Sequence, residues 1–166
     1  MDIFIEKIVK RRKTPTDIAF AVLMVLVALI LSFVAFTFLQ SFAIVVVFGI
    51  GYLAYILITR RNIEYEYSVT NGDLDIDMIA NQRKRKRVFS MSCKEFEVVA
   101  KVKSAQYTHE MKECKTVKDF TSLSPNADIW FIFHRQGGTP TVVLFEPTSQ
   151  MIDNFRTFIP RKVFQY

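Results

Sequence analysis

The sequence predicts a helical membrane hairpin joined to a mainly-β domain. Two apolar runs, residues 18–39 and 42–58, hold most of the chain's hydrophobic excess, whereas residues 62–166 have the composition of a soluble protein and the length of one domain. The predicted organisation is a basic cytoplasmic N-terminus over residues 1–16, a two-helix transmembrane hairpin over residues 17–59 and a cytosolic domain over residues 62–166.

The two apolar runs are too long together for a single membrane crossing. A hydrocarbon core of about 30 Å needs roughly 20 helical residues, and residues 18–39 meet that length alone. Gln40 and Ser41 interrupt the apolar pattern before residues 42–58 resume it, so we expect a tight turn there. A cleaved signal peptide is the rival interpretation, but its apolar region usually spans only about 7–15 residues.

Basic residues flank the hairpin, and its internal connection carries no charge. Of the net charge of +6, residues 1–17 contribute +2, and Arg60 and Arg61 contribute another +2. The positive-inside rule therefore predicts a multi-pass protein of the cell membrane with both termini cytoplasmic. A nucleic-acid-binding protein would concentrate its positive charge on the soluble domain, so no nucleic-acid partner is expected.

Small residues recur along the hairpin, and neither run contains an ionisable Asp, Glu, Lys, Arg or His. The absence of such groups argues against a proton relay or an ion pathway. Ala21, Ala28 and Ala35 are spaced by seven residues, and Gly49, Gly51 and Ala54 lie in the second run. Small residues let membrane helices approach closely. We favour packing within the hairpin, and a dimer interface is the alternative.

Apolar and polar residues alternate at the start of the soluble domain, which predicts strands. Residues 63–69 alternate, Asn71-Gly72 forms a tight-turn signal, and residues 74–78 alternate again. Asn81-Gln82 is a weaker turn signal before the basic run at residues 83–87. A third strand is expected over residues 88–91.

The remaining elements are further strands and one helix. Strands are expected near residues 96–100, 116–121, 129–134 and 141–145, with a Gly137-Gly138 turn between the last two and loops elsewhere in residues 102–127. The chain then forms an amphipathic helix, which should begin with Pro147 and stop at Pro160.

About seven strands followed by one helix is the order of the pleckstrin-homology (PH) superfold, a bent antiparallel barrel closed at one end by the helix. Two apolar helices followed by Tyr67-Ser68-Val69-Thr70-Asn71-Gly72-Asp73-Leu74, then basic residues, then residues 89–98 resemble the bacterial membrane-anchored PH-like families. The layout also resembles a family of small membrane proteins of Gram-positive bacteria. The resemblance implies a fold and no activity, because those families have no agreed function.

Basic residues near the predicted membrane surface are the main candidate site. A cytoplasmic basic cluster attracts anionic lipid by about 1 kcal/mol per residue close to the surface. The competing interpretation is favoured: residues 62–91 hold five acidic and five basic residues, so cross-strand ion pairs would neutralise the run. The candidate residues for lipid headgroups are Lys10, Arg11, Arg12, Lys13, Arg60, Arg61, Arg83, Lys84, Arg85, Lys86 and Arg87.

Two other residue patterns suggest metal-ion sites, and we reject both interpretations. Asp73, Asp75 and Asp77 resemble the start of a calcium loop, but the Gly and the bidentate Glu of that loop are missing, so a solvated strand face is expected. The possible zinc ligands match no known spacing, and both cysteines are expected to be free thiols. Those four residues are Cys93, His109, Cys114 and His134.

No catalytic pattern is present in the sequence. It contains no Gly-x-Ser-x-Gly elbow and no phosphate-binding loop, so we expect no enzymatic activity, no cofactor and no metal. The leading hypothesis is a non-enzymatic membrane-anchored module that binds a protein partner, or itself, at the cytoplasmic membrane face. Recognition of anionic lipid by the basic hairpin and the juxtamembrane residues is the alternative.

Overall fold

The computed structural model describes residues 4–164, apart from the side chain of Gln136. Contacts divide the chain into a β unit and a helical unit, and the helical unit comprises Arg12–Ile63 and Ala80–Lys84. The helices are α1 (Pro15–Leu39), α2 (Ala43–Thr59), α3 (His109–Lys112) and α4 (Ser149–Phe158). The strands are β1 (Phe4–Lys10), β2 (Ile63–Thr70), β3 (Asp73–Ala80), β4 (Lys84–Ser92), β5 (Val98–Lys101), β6 (Thr116–Asp119), β7 (Trp130–Gln136), β8 (Thr139–Phe145) and β9 (Val163–Phe164).

Local chemistry defines both ends of α1. Thr14 caps the helix by accepting a hydrogen bond from the Asp17 backbone N–H, while the Asp17 carboxylate accepts one from Thr14 N at 3.0 Å. This reciprocal pattern is a capping box, and Pro15 occupies a first-turn position where no donor is lost. At the other end Gln40 adopts a positive φ of 37°, which confirms the predicted break in the helix.

Helices α1 and α2 run antiparallel and pack against each other. The guanidinium of Arg61, just after α2, lies 2.9 Å from the Asp17 carboxylate at the start of α1 and 4.1 Å from the centre of the Phe20 ring. Ala35 and Ala43 are buried where the helices meet the connecting turn, whereas a Cβ added at Gly49 or Gly51 would meet no described atom within 4 Å beyond the helix's own backbone. Packing within the hairpin therefore accounts for the buried alanines and leaves both glycines outside it.

The helical hairpin exposes most of its apolar surface. The most apolar 18-residue window within Pro15–Thr59 has a mean hydropathy of 3.0, and only 6% of that window is buried. Phe33, Phe38 and Phe48 are each at least 72% exposed. By length and composition this helical segment could cross a membrane.

The β unit contains two sheets, with strand orders β1-β2-β3-β4 and β6-β8-β7-β5-β9. The strands expected in residues 63–145 are all present, and the turn at Asn71 and Gly72 has positive φ at both residues, as predicted. The predicted closed antiparallel barrel is wrong, because within residues 4–164 the two sheets do not join into a barrel. Strand pairs β6–β8 and β5–β9 are parallel, since each pair is joined by a crossover rather than a hairpin.

Strand β1 was not expected from the sequence, which assigned residues 1–16 to a flank of the membrane helix. It pairs antiparallel with β2 in seven residue pairs that run from Phe4–Thr70 to Lys10–Glu64. Val9 is 5% exposed and belongs to the core. The helical hairpin is therefore an insertion between two neighbouring strands of one sheet, and the β domain does not begin at residue 62.

The main core lies between the sheets and under α4. Tyr67 of β2 makes an edge-to-face contact with Phe145 of β8, at 5.9 Å between ring centres. Phe155 of α4 contacts Phe96 in the same geometry at 5.7 Å. The predicted amphipathic helix is confirmed, but it begins after a Thr148 cap, which places Pro147 outside its first turn.

A second apolar cluster covers the other face of the five-stranded sheet. Phe131 and Phe133 of β7 pack there with Ala100 and Val142. Met111 of α3 closes the cluster, although the sequence predicted only a loop in this region. Because this cluster covers the second face of the sheet, β7 is buried on both faces, as its continuous apolar run at residues 130–133 requires.

Candidate membrane-surface site

The structure divides four of the five basic residues at positions 83–87 into two groups, and Lys86 belongs to neither. Arg85 forms an ion pair with Glu66, whose side chain is 2% exposed. Arg87 bridges the carboxylates of Asp75 and Asp77, at 2.8 and 2.9 Å. For these two arginines the predicted cross-strand neutralisation is confirmed.

Some of the acidic residues on β2 and β3 are less exposed to solvent than expected. Asp73 is exposed, but Asp77 is only 6% exposed, so the predicted solvated face is wrong at that position. A hydrogen bond with the Glu6 carboxyl, together with burial, raises the pKa of Glu66, whereas the charge of Arg85 lowers it. The ion pairs thus hold a partly buried carboxylate cluster on the four-stranded sheet.

The other group lines a pocket in the helical unit. Arg83 and Lys84, in and after the β3–β4 turn, lie with Arg60 around a cavity of about 240 Å³. Tyr52 and Tyr55, from the last two turns of α2, form part of the same wall. We call this site the basic pocket, and the sequence reasoning missed its tyrosines. Aromatic residues near the end of an apolar helix, typical of membrane interfaces, were the available signal.

A tight turn holds the basic pocket together. Asn81 and Gln82 both have positive φ, at 51° and 53°, in a turn without glycine. The Asn81 backbone N–H donates to the Asn62 carbonyl at 2.8 Å, which fixes the turn to the segment that follows α2. Asn81 also lines the pocket. The sequence analysis treated Arg60 and Arg61 as one group and residues 83–87 as another. Of these two groups, only Arg60, Arg83 and Lys84 meet in the pocket.

The remaining predicted site residues do not line this pocket. Arg61 instead joins the two helix ends through Asp17. The other candidates are exposed, except for the half-buried Arg11; they are Lys10, Arg12, Lys13 and Lys86.

The possible zinc ligands do not form a site. Cys93 is buried, and burial raises the pKa of its thiol. His134 is 2% exposed, neither of its ring nitrogens is hydrogen-bonded to any residue in 4–164, and burial lowers its pKa. His109 is exposed beside Glu113, and Cys114 lies 3.1 Å from the Pro140 carbonyl oxygen. Within residues 4–164 no three His, Cys, Asp or Glu side chains converge in a way that could hold a metal ion.

A second concave feature lies beside the edge of the four-stranded sheet. Ile5 of β1 and four residues of α4 line an open cleft of about 420 Å³, which we call the β1–α4 cleft. Asn154 in this cleft is 5% exposed, and neither polar atom of its side chain has a hydrogen-bond partner among the described residues. A buried amide without a partner costs about 1–3 kcal/mol, so this position needs an explanation.

Two sheets with a C-terminal helix across their core define a PH-like domain, a class that generally comprises non-catalytic binding modules. The chain matches the family described as Bacterial PH-like domain (DUF6106) over residues 1–165, and it belongs to that family. The match includes the helical hairpin as well as the β unit. No curated protein and no solved structure is significantly similar to the chain.

Proposed function

We propose that the protein is a non-enzymatic module, anchored by a hairpin that crosses the cell membrane twice, whose cytoplasmic PH-like domain binds a protein partner. The observation that carries the anchoring proposal is the apolar surface that the hairpin exposes, and the pairing of β1 with β2 on either side of the hairpin favours two crossings. The observation that carries the partner proposal is the free edge of β1 beside the β1–α4 cleft.

Strand pairing supports an even number of crossings. Lys10 and Glu64 face each other in one sheet, which supports a placement of both ends of the intervening segment on the same side of the membrane. Helices of 25 and 17 residues are about 37 and 26 Å long at 1.5 Å per residue, close to the thickness of a hydrocarbon core. Basic residues at both flanks favour the cytoplasmic side for the β unit.

The exposed apolar surface of the hairpin supports insertion of the hairpin into a membrane rather than its exposure to water. Side chains such as Phe38 and Phe48 would each cost about 1.5–3 kcal/mol in water relative to an apolar environment. Soluble proteins rarely expose large continuous apolar patches. Lipid removes this cost along the whole segment.

The free edge of β1 supports binding of an extended peptide. In residues 4–164, β1 is hydrogen-bonded to β2 alone, so its outer edge offers backbone donors and acceptors. Phe4 and Ile8 on this strand are 63% and 59% exposed. The Asn154 amide offers both a donor and an acceptor, the pair that a peptide backbone satisfies. Strand addition is an established mode of peptide recognition.

A photo-crosslinking amino acid placed at Gln150, in the cleft, tests the partner proposal in cells. We expect one discrete cross-linked band that disappears when Asn154→Leu is added, because leucine removes the amide without removing the helix. The same probe at the exposed Lys112 on α3 is the matched control and should give no such band. A band at twice the chain's mass would identify the partner as a second copy, and the absence of any band would contradict the proposal.

A further inference from the structure

We infer that the basic pocket binds the phosphate group of an anionic membrane lipid. The inference goes beyond the protein-partner proposal, but it rests on the proposed membrane insertion for the source of the ligand. It depends on three cationic side chains that the fold places around one small cavity: Arg60, Arg83 and Lys84.

These three cations have no acidic counterpart in the pocket. No Asp or Glu is among its described lining residues, and none of the ion pairs found within residues 4–164 includes Arg60, Arg83 or Lys84. Like charges gathered around one cavity repel each other, and a bound anion relieves that repulsion. Arg85 and Arg87 engage Glu66 on β2 and the carboxylates of Asp75 and Asp77 on β3.

The chemistry of the pocket fits a phosphate. Arginine binds phosphate through two parallel N–H donors, and lysine adds a compact charge. Tyr52, Tyr55 and Asn81 also line the pocket, and each has a side chain that can donate a hydrogen bond. The C-terminal end of α2 carries a partial negative charge equivalent to only about half an electron, which three full positive charges outweigh.

The size and position of the pocket favour a lipid over a larger soluble ligand. Its volume of 240 Å³ lies below the roughly 300–1,000 Å³ typical of drug-sized ligands. Its aromatic wall belongs to the end of a 17-residue apolar helix. Tyrosines at such a position lie at headgroup depth when the helix crosses a bilayer. A phospholipid can then place its phosphate between the cations while its acyl chains remain beside the helix.

The full chain, purified in a neutral detergent, provides the test. Native mass spectrometry counts the lipids bound on addition of phosphatidylglycerol or of zwitterionic phosphatidylcholine. We expect one phosphatidylglycerol to bind in preference to phosphatidylcholine. Lys84→Gln should weaken that binding about five-fold, the factor that corresponds to about 1 kcal/mol per basic residue. Replacing Arg60, Arg83 and Lys84 together by glutamine should weaken it by about two orders of magnitude.

The matched control is Lys86→Gln, which removes the same charge from a neighbouring exposed residue outside the pocket. Its binding should remain within about two-fold of the original chain, since charge alone is screened at a distance. Equal losses in Lys84→Gln and Lys86→Gln would show diffuse attraction and overturn the site. Trp130 fluorescence on heating checks folding, and the pocket variants should unfold at an unchanged temperature because none of the ion pairs found within residues 4–164 involves these side chains.

A competition arm distinguishes the two sources of phosphate. Inorganic phosphate and glycerol 3-phosphate should not displace phosphatidylglycerol at equal concentration; if either does, the pocket is a soluble-phosphate site and the lipid assignment is wrong. Because lipid binding is measured in detergent, its failure is separable from a failure of membrane insertion. A chain that is washed from membranes at alkaline pH would refute the anchoring proposal on its own.

Discussion

Strand β1 should contribute a large share of the stability of the β domain, although the chain separates it from β2 by the whole hairpin. The test compares two soluble variants. In the fused variant, residues 11–63 are replaced by a short Asn-Gly turn, so that Lys10 leads directly to its partner Glu64. In the truncated variant, the chain starts at residue 63 and lacks β1.

The expected difference follows from the burial of β1. Val9 is 5% exposed and Ile5 is half-buried, so their transfer out of water is worth about 3 kcal/mol together. Lys7 also donates to the Glu146 carbonyl at 2.8 Å. A domain is stable by only about 5–15 kcal/mol, so the truncated variant loses much of that margin. At about 4 °C per kcal/mol, its unfolding midpoint should fall by about 12 °C.

Fluorescence of Trp130, the only tryptophan and 5% exposed, reports the transition during heating. Within the fused variant, Val9→Asp should reproduce most of the loss, whereas Ile8→Asp, at a position 59% exposed, should have little effect. Equal midpoints for the fused and truncated variants would refute the assignment of β1 to the sheet.

Three further substitutions in the full chain test the core, with the same fluorescence as the readout. Tyr67→Phe removes a buried hydroxyl that donates to the Phe120 carbonyl at 2.6 Å, so the free energy of unfolding should fall by about 1–2 kcal/mol; an unchanged value would contradict this bond. Gly72→Ala should destabilise by more than 1 kcal/mol, because φ is +90° and the added methyl would lie 2.8 Å from the Cys93 sulfur; a neutral effect would show that the turn relaxes. Burial lowers the pKa of His134, so the stability linked to its neutral form is present above its ordinary pKa of about 6.5 and is lost as pH falls. His134→Leu should therefore raise stability by about 1 kcal/mol at pH 7.5 and by more at pH 5, and an equal gain at both values would refute the titration.

Local patterns made the helices and most strands predictable from the sequence. The alternation at residues 63–69, the Asn71-Gly72 turn and the break at Gln40 are each encoded within a few residues, and the structure confirms all three. The amphipathic pattern of α4 is local in the same sense. The predicted start of α4 at Pro147 was wrong. Thr148 caps the helix by accepting a hydrogen bond from the Met151 N–H, so the helix begins after Thr148.

Strand β1 could not be found in this way, because its partner lies beyond the hairpin. Residues 4–10 show no regular alternation, and their bases read as a flank of the apolar helix. Nothing local records that Lys10 will face Glu64. The parallel pairings of β6 with β8 and of β9 with β5 also join residues that are far apart in the sequence. They belong to the two-sheet arrangement that the structure has in place of the predicted barrel.

The sequence predicted which charged residues belong to the candidate site, but not how those residues are arranged in space. The sequence showed that acids and bases balance over residues 62–91, but not which arginines face the acids. In the structure Arg85 and Arg87 form the pairs, whereas Arg83 and Lys84 line the basic pocket. That division depends on strand pairing and on the β3–β4 turn, which charge counting does not capture.

Side-specific labelling of single cysteines tests the double crossing most directly. In a chain with Cys93 and Cys114 replaced by alanine, one new cysteine is placed at Ser41 in the helix connection, at Lys13, or at Lys103 in the β unit. We predict that a membrane-impermeant maleimide added to intact cells labels only Ser41→Cys, and that the other two are labelled only after permeabilisation. Labelling of Lys103→Cys from outside, or protection of Ser41→Cys in intact cells, would contradict the account.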